Sequence, residues 1–302
     1  MRVLLIGGTG QLGTEIRRRW TGDHIVAPGH DAVDLSVPTS LDAAVGDSDA
    51  EVVVNCAAFH NVDRCETEIE TALRLNAVAV ERLAELCAQS GKRLVTFSTD
   101  YVFDGTTEWP YGENDCPHPI SAYGISKYSG ELLIERLRSD ALVVRTCGVY
   151  GVRPSATKGY TFVDRVIAQA RAGERGRVVD DVIASPTYAG HLAEALRALL
   201  ATGARGIVHA CNVGPVSWYD FAAEALQQAG LENSLDAIGS GEWKSGARRP
   251  RYSALDNARL RELGIAMPDW CAGIAAYLAD RSARLDTAAA QPTRRDSEPH
   301  PE

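Results

Sequence analysis

Tyr123 and Lys127 stand four residues apart in SAYGISKYSGE, residues 121–131. On a helix that spacing puts both side chains on one face. An ammonium beside a phenol favours the phenolate, so the pair predicts a phenol that yields its proton near neutral pH. Thr99 closes the apolar run RLVTFST, residues 93–99, upstream of Tyr123. Strand ends in an open parallel sheet face the ligand crevice. Thr99, Tyr123 and Lys127 would then surround one carbonyl oxygen, Tyr123 donating the proton and Thr99 hydrogen-bonding the oxygen. Taken alone, two surface residues one turn apart give the same pattern, so the rest of the chain decides.

The first apolar run enters GGTGQLG, where Gly7, Gly10 and Gly13 follow a G-x-x-G-x-x-G spacing. Glycines allow the tight turn and let backbone N–H groups approach a pyrophosphate at the following helix N-terminus. The loop lies after a strand and before a helix, the context a dinucleotide site requires. Lys127 would then also hold the nicotinamide ribose. An NAD site usually places an acid at the end of strand two. Here Pro28, Gly29 and His30 stand there, with Asp31 beyond. Without that acid a 2′-phosphate meets no repulsion, and His30, or Arg17 and Arg18 on the first helix, could contact it; a solvated helix face and a loop histidine are the alternative. NADPH is the expected cofactor, with NADH tolerated.

Strands at 3–7, 24–29, 51–58, 93–99 and 141–146 alternate with helices at 12–20, 40–47 and 66–90 and with the Tyr123 helix. Continuous apolar strands between helices imply a parallel sheet covered on both faces. After Tyr150 the pattern reads as a loop over 151–159, a helix over 161–173, and a strand and turn over 177–187. A helix over 191–203, a strand over 206–213 and a helix capped by Ser217 follow. The expected fold class is α/β, a Rossmann-type doubly wound parallel sheet with a smaller α/β substrate-binding lobe. Residues 1–150 form the dinucleotide-binding domain, with 187–203 packing on it. Residues 151–186 and 204–282 form the lobe, and 283–302, polar and without periodicity, a disordered tail.

The 302 residues carry a net charge of −9, and the longest basic run is ARRPR, residues 247–251. This argues against nucleic acid or an anionic membrane as partner. No apolar run reaches the roughly 18 residues of a membrane span, and the N-terminus lacks the features of a signal peptide. Seven scattered cysteines without a C-x-x-C pair indicate neither zinc nor a disulfide framework. A cytoplasmic protein is expected. Glu66, Glu68 and Glu70 read as a solvated helix start rather than a metal site. Arg248 and Arg249 are candidates for a diphosphate, since guanidinium pairs with phosphate bidentately; a solvated basic turn is the alternative. Trp218 and Tyr219 read as core packing.

GGTGQLG, VDLSVP, VVVNCAAFHNVDRCE, the Asn76 helix, FSTDYVFDG, PYGENDCPHPISAYGISKYSGE, VVRTCGVYG and ARRPRYSALD occur in this order. Through them the chain resembles the extended short-chain dehydrogenase/reductases, and among these the dTDP-4-dehydrorhamnose reductases. The resemblance implies reduction of the C4 ketone of a nucleotide-linked 4-keto-6-deoxyhexose, with Tyr123, Lys127 and Thr99 catalytic. It puts Thr9, Gln11 and Leu12 at the pyrophosphate, Asp34 and Leu35 at the adenine, and Ala57, Ala58 and Phe59 along the cofactor. Thr99 and Asp100 fall on the substrate side, although Asp100 also reads as a turn cap. A nucleotide-diphosphate sugar is the expected partner, and a homodimer is compatible with the flanking helices.

Several positions depart from the pattern. Gly148 stands where a Trp packs on substrate, which predicts an enlarged or reshaped sugar pocket. His60 replaces a small hydroxyl residue at a substrate-side position. The stretch DDVIASPT, residues 180–187, lacks the family's Gln and Gly. These departures leave the reaction class in place and the sugar open. Fold analogy also admits a non-catalytic NADP-binding regulatory subunit, like that of methionine adenosyltransferase, or a sugar-nucleotide epimerase. A dehydratase is disfavoured because Tyr101, not Glu, follows Asp100.

Overall fold

The computed structural model describes residues 1–153, 159–243 and 245–290. Residues 154–158 of the expected loop and 291–302 of the expected disordered tail lie outside them. Ten strands and eleven α-helices follow in chain order among the described residues. The first half runs β1 (Arg2–Ile6), α1 (Gln11–Arg19), β2 (His24–Val26), α2 (Pro38–Gly46), β3 (Val52–Asn55), α3 (Val62–Thr67), α4 (Ile69–Leu73), a π-helical turn (Arg74–Val78), α5 (Ala79–Gln89), β4 (Arg93–Thr99), α6 (Ala122–Arg136) and β5 (Leu142–Thr146). The second half runs α7 (Phe162–Arg171), β6 (Gly176–Val179), β7 (Ile183–Ala184), α8 (Ala189–Thr202), β8 (Gly206–His209), β9 (Val216–Ser217), α9 (Trp218–Gln228), β10 (Leu235–Ile238), α10 (Ala258–Glu262) and α11 (Trp270–Ala290).

Six parallel strands form one sheet in the order β2-β1-β3-β4-β5-β8. The order reverses at β1, so the ligand crevice opens beyond the carboxyl ends of β1 and β3. Side chains alternate across the sheet. Val3 and Leu5 pack with Ile16, Trp20, Leu192 and Leu196 on one face. Leu4 and Ile6 pack with Leu41, Leu83 and Ile134 on the other. Burial on both faces is why these strands read as continuous apolar runs. A further cluster joins α7, α9 and α11 through Val163, Ile167, Phe221, Leu226, Ile274 and Tyr277. Beside it lie two small sheets, β10 with β6 and β7 with β9.

Three expectations change. The strand at Gly206–His209, assigned by its sequence position to the smaller lobe, pairs with β5 and is the sixth strand of the main sheet. The single helix expected over 66–90 is broken: Glu68, at φ −125° and ψ 44°, separates α3 from α4, and the wider π turn follows. The tail expected from 283 is helical as far as Ala290. Helix α8 does pack on α1, where the Trp20 indole N–H donates to the Ala193 carbonyl at 2.9 Å. All seven cysteines are free thiols. No helix among the described residues is long and apolar enough to cross a membrane.

Candidate active site

Gly7 follows β1 with φ +76°, and a Cβ there would stand 2.7 Å from the Ala57 nitrogen. A Cβ on Gly13 would stand 2.4 Å from the Gly7 carbonyl oxygen. Only glycine lets the loop, the β3 end and the first turn of α1 lie this close. Gly10 caps α1 without a side-chain hydrogen bond, and the first turn holds no acid. Its N–H groups and positive helix end therefore remain available to an anion. Gly10, Gln11 and Leu12 line a pocket of ≈ 450 Å³, while Thr9 is exposed at the loop tip. These residues fit a dinucleotide pyrophosphate.

At the end of β2, His30 is 81% exposed and approaches Asp34 at 3.6 Å. The Asp34 carboxyl accepts from the Ser36 N–H, which holds it below the usual carboxylate range. Leu35 is buried. Arg17 is exposed, and its Cδ lies 3.6 Å from where a Cβ of Gly8 would stand. Arg18 is not free for a phosphate: it pairs with Glu15 and with Asp280 of α11.

Beyond β3, Ala58 and His60 face the pocket. Asn76 of the π turn fixes this segment. Its side-chain oxygen accepts from the Phe59 N–H, and its amide donates to the Phe59 carbonyl and to Ser126 Oγ of α6, each at 2.9 Å. A Cβ on Gly130 would stand 2.4 Å from the Asn76 carbonyl oxygen, so glycine there lets α6 press against the turn. The wide turn, a common device at functional sites, ties the Ala57–Phe59 segment to α6. Sequence reasoning missed this role, because the apolar period runs through the turn unbroken.

Helix α6 starts at Ser121, whose hydroxyl accepts from the Gly124 N–H. Tyr123 and Lys127 fall on its pocket side, and Thr99 and Asp100 reach the same pocket from the β4 end. Thr99 Oγ1 donates to Asp100 at 2.9 Å, and Cys147 Sγ donates to its other oxygen at 3.1 Å. The Ser253 hydroxyl also bonds this carboxyl. Burial raises the Asp100 pKa against those three bonds.

Lys127 is buried, which pushes its ammonium down to about 8, while Glu131 one turn on works in the other direction. The Tyr123 phenol is pushed above its ordinary value, first by burial and then by the Asp100 charge, with the Thr99 hydroxyl opposing. This corrects the expectation that Lys127 lowers the phenol. Burial and the Asp100 charge set the phenol, and the charge that acts on Lys127 is that of Glu131. A phenol held neutral is still the form that donates a proton.

The far wall comes from the loop after β5 and from α7 and α9. Gly148 has φ +50°, and a Cβ there would meet the Trp218 ring at 3.1 Å and Pro186 Cα at 3.3 Å. Trp218 lines the pocket with Phe162, which it meets edge-on at 5.1 Å. The space expected from a missing Trp at 148 is thus filled by Trp218, a residue read as core packing. Arg249 does not line the pocket; it pairs with Asp63 of α3 at 2.9 Å. Its charge acts on the Tyr101 phenol, which does line the pocket. Sequence reasoning also missed Ser253 and Cys147, although both sit inside the motifs RYSALD and VVRTCGVYG.

The RmlD substrate binding domain model matches residues 1–283. The *Bacillus subtilis* spore coat polysaccharide biosynthesis protein SpsK is 35% identical, with 94% of this chain and 99% of that protein covered. A probable dTDP-4,6-dihydroxy-2-methyloxan-3-one 4-ketoreductase of *Streptomyces antibioticus* is 37% identical, with 98% and 99% covered. Among solved structures, dTDP-4-dehydrorhamnose reductase from *Bacillus anthracis* in complex with NADP superposes with a TM-score of 0.87 at 31% identity, covering 92% of this chain and 99% of that one. Site geometry and similarity over nearly the whole length agree: the chain belongs to the RmlD substrate binding domain family.

Proposed function

We propose that the protein is an NADPH-dependent reductase of the C4 ketone of a nucleotide-linked 4-keto-6-deoxyhexose. The observation that carries this reading is that Gln11, Thr99, Tyr123 and Lys127 line one pocket although they come from three separate elements. The ketoreductase and dehydrorhamnose reductase names of its relatives support it. The reduced nicotinamide, when bound, supplies the hydride. Tyr123 holds the proton that goes to the ketone oxygen, and Thr99 hydrogen-bonds that oxygen. Lys127 binds the ribose. Gly7, Gly10, Gly13 and the α1 N-terminus take the pyrophosphate, and Arg17 and His30 take a 2′-phosphate, with NADH tolerated. Asp100, His60 and Trp218 face the sugar, and Arg249 serves the diphosphate. The smaller lobe is the substrate-binding part, and a cytoplasmic homodimer belongs to the same reading.

The test follows absorbance loss by NADPH with dTDP-4-keto-6-deoxyglucose and its epimeric keto-sugars, identifying products by NMR. Oxidation of NADPH with formation of a C4 alcohol is expected. Binding of NADPH with no oxidation by any of these sugars would overturn the reading in favour of a non-catalytic subunit.

A further inference from the structure

Below Lys127, α6 and β5 hold a buried charge pair that proton transfer does not use. Arg145 is 1% exposed and Glu131 is 5% exposed. Arg145 grips both oxygens of Glu131, Nε at 2.9 Å and Nη2 at 2.6 Å. Its guanidinium also lies 5.2 Å from the centre of the Phe103 ring. Nη1 faces His209 Nε2 of β8 at 3.4 Å. The other ring nitrogen of His209 stands 3.1 Å from the carbonyls of Tyr111 and Asp256, so Nδ1 carries the hydrogen and Nε2 accepts. Burial and the Arg145 charge keep this histidine neutral.

Glu131 is one helical turn from Lys127, the spacing of an ordinary Glu–Lys pair. Yet both of its oxygens are turned to Arg145. We propose that Arg145 is a positioning residue for the catalytic lysine: by occupying Glu131 it withholds a full counter-ion from Lys127, leaving the ammonium charge free for the pocket. The inference rests on the role given to Lys127 above. The physical reason is charge balance in a low dielectric. A carboxylate already neutralised by a bidentate guanidinium attracts a second cation far less than a lone carboxylate does. Lys127 lines the pocket, and Glu131 is the charged group that acts on its ammonium.

Of the other ionisable groups around this end of α6, Tyr101 packs edge-on against Tyr123, and burial pushes its phenol up. On α6 itself Tyr123 is held neutral. Asp100, beyond β4, is bonded to Thr99, Cys147 and Ser253, and burial raises its pKa. On α3, Cys65 is a buried thiol pushed up to about 11, and the exposed Glu66 accepts from the Ala122 N–H. Glu70 of α4 and Arg74 of the π turn are exposed, and Glu81 of α5 pairs with Arg136.

The chain has four lysines, Lys92, Lys127, Lys158 and Lys244. The Lys127 ammonium can therefore be titrated by NMR of protein labelled at lysine Cε, with the signal assigned by its loss in Lys127→Met. Glu131→Gln removes the anion and leaves the Arg145 cation, so Lys127 should titrate about one pH unit lower. Arg145→Met frees the anion, so Lys127 should titrate about one unit higher. Where Arg145→Met does not fold, Glu131→Gln/Arg145→Met replaces it and should titrate above Glu131→Gln. The limb of the kcat/KM–pH profile that reports Lys127 should move the same way. A purely structural role would loosen the helix and move both single variants upward, toward an exposed lysine. An upward or absent shift in Glu131→Gln overturns the proposal, and so does the absence of a rise in Arg145→Met or, in its place, of the double variant over Glu131→Gln. Shifts of the expected signs in a protein that reduces no keto-sugar would leave it standing and remove the assigned function instead.

Discussion

Gly148 lies against the ring of Trp218: a Cβ at position 148 would stand 3.1 Å from Cη2 and 3.4 Å from Cζ2. One residue belongs to the loop after β5 and the other to the first turn of α9. The contact joins α9 to the end of the main sheet at the pocket wall.

Gly148→Trp should therefore destabilise the protein rather than only narrow its substrate range. The backbone at φ +50° disfavours any side chain, and the new ring meets Trp218 and Pro186. Overpacking and left-handed strain together should cost about 2–4 kcal/mol. Thermal unfolding would register this as a lower midpoint, and Gly148→Trp/Trp218→Ala should recover part of it. An unchanged midpoint in the single variant would show that Trp218 yields freely.

Lys127 gives stability a signed pH dependence. Its pKa falls from 10.5 to about 8 on folding, so between those values the unfolded chain binds the extra proton. Stability from this group is lowest below pH 8 and rises as pH climbs from 8 toward 10.5. Buried thiols such as Cys87 and Cys211, both pushed up to about 12, act oppositely above their unfolded pKa. The difference between wild type and Lys127→Met isolates the lysine. Chemical denaturation at pH 7.5 and 9.5 should show the advantage of Lys127→Met shrinking at the higher pH. A constant difference would contradict the pKa shift.

Arg249 and Asp63 make a separable prediction. Arg249→Ala should raise KM for the sugar nucleotide about tenfold, with kcat changed only a few-fold, since a phosphate clamp acts on binding. Asp63→Asn releases Arg249 from its ion pair and should lower KM. Equal KM values across wild type and both variants would reduce Arg249 to a surface ion pair, a class worth about 0–1 kcal/mol.

The parts legible in sequence were those set by local chemistry. Buried parallel strands such as β1 and β4 announce themselves as apolar runs, and the glycine loop needs its residues whatever packs around it. The Tyr123–Lys127 spacing survives because both lie on one regular helix. What stayed hidden depends on tertiary placement. Asn76 turns inward only because the helix widens there. The 206–209 segment reads as a strand, but nothing local says which sheet it joins. Arg18 looked free until α11 brought Asp280 beside it. The Tyr123 phenol lies opposite to expectation because burial, invisible along the chain, and the Asp100 charge raise it.

The central claim is that Tyr123 gives the proton to a ketone reduced in this pocket. It is tested most directly by comparing wild type with Tyr123→Phe in turnover of the keto-sugar and in NADPH affinity. Loss of the proton donor should lower kcat by about 10²–10⁴-fold while the NADPH Kd stays within a few-fold. Retention of kcat within a few-fold in the Phe variant would contradict the account.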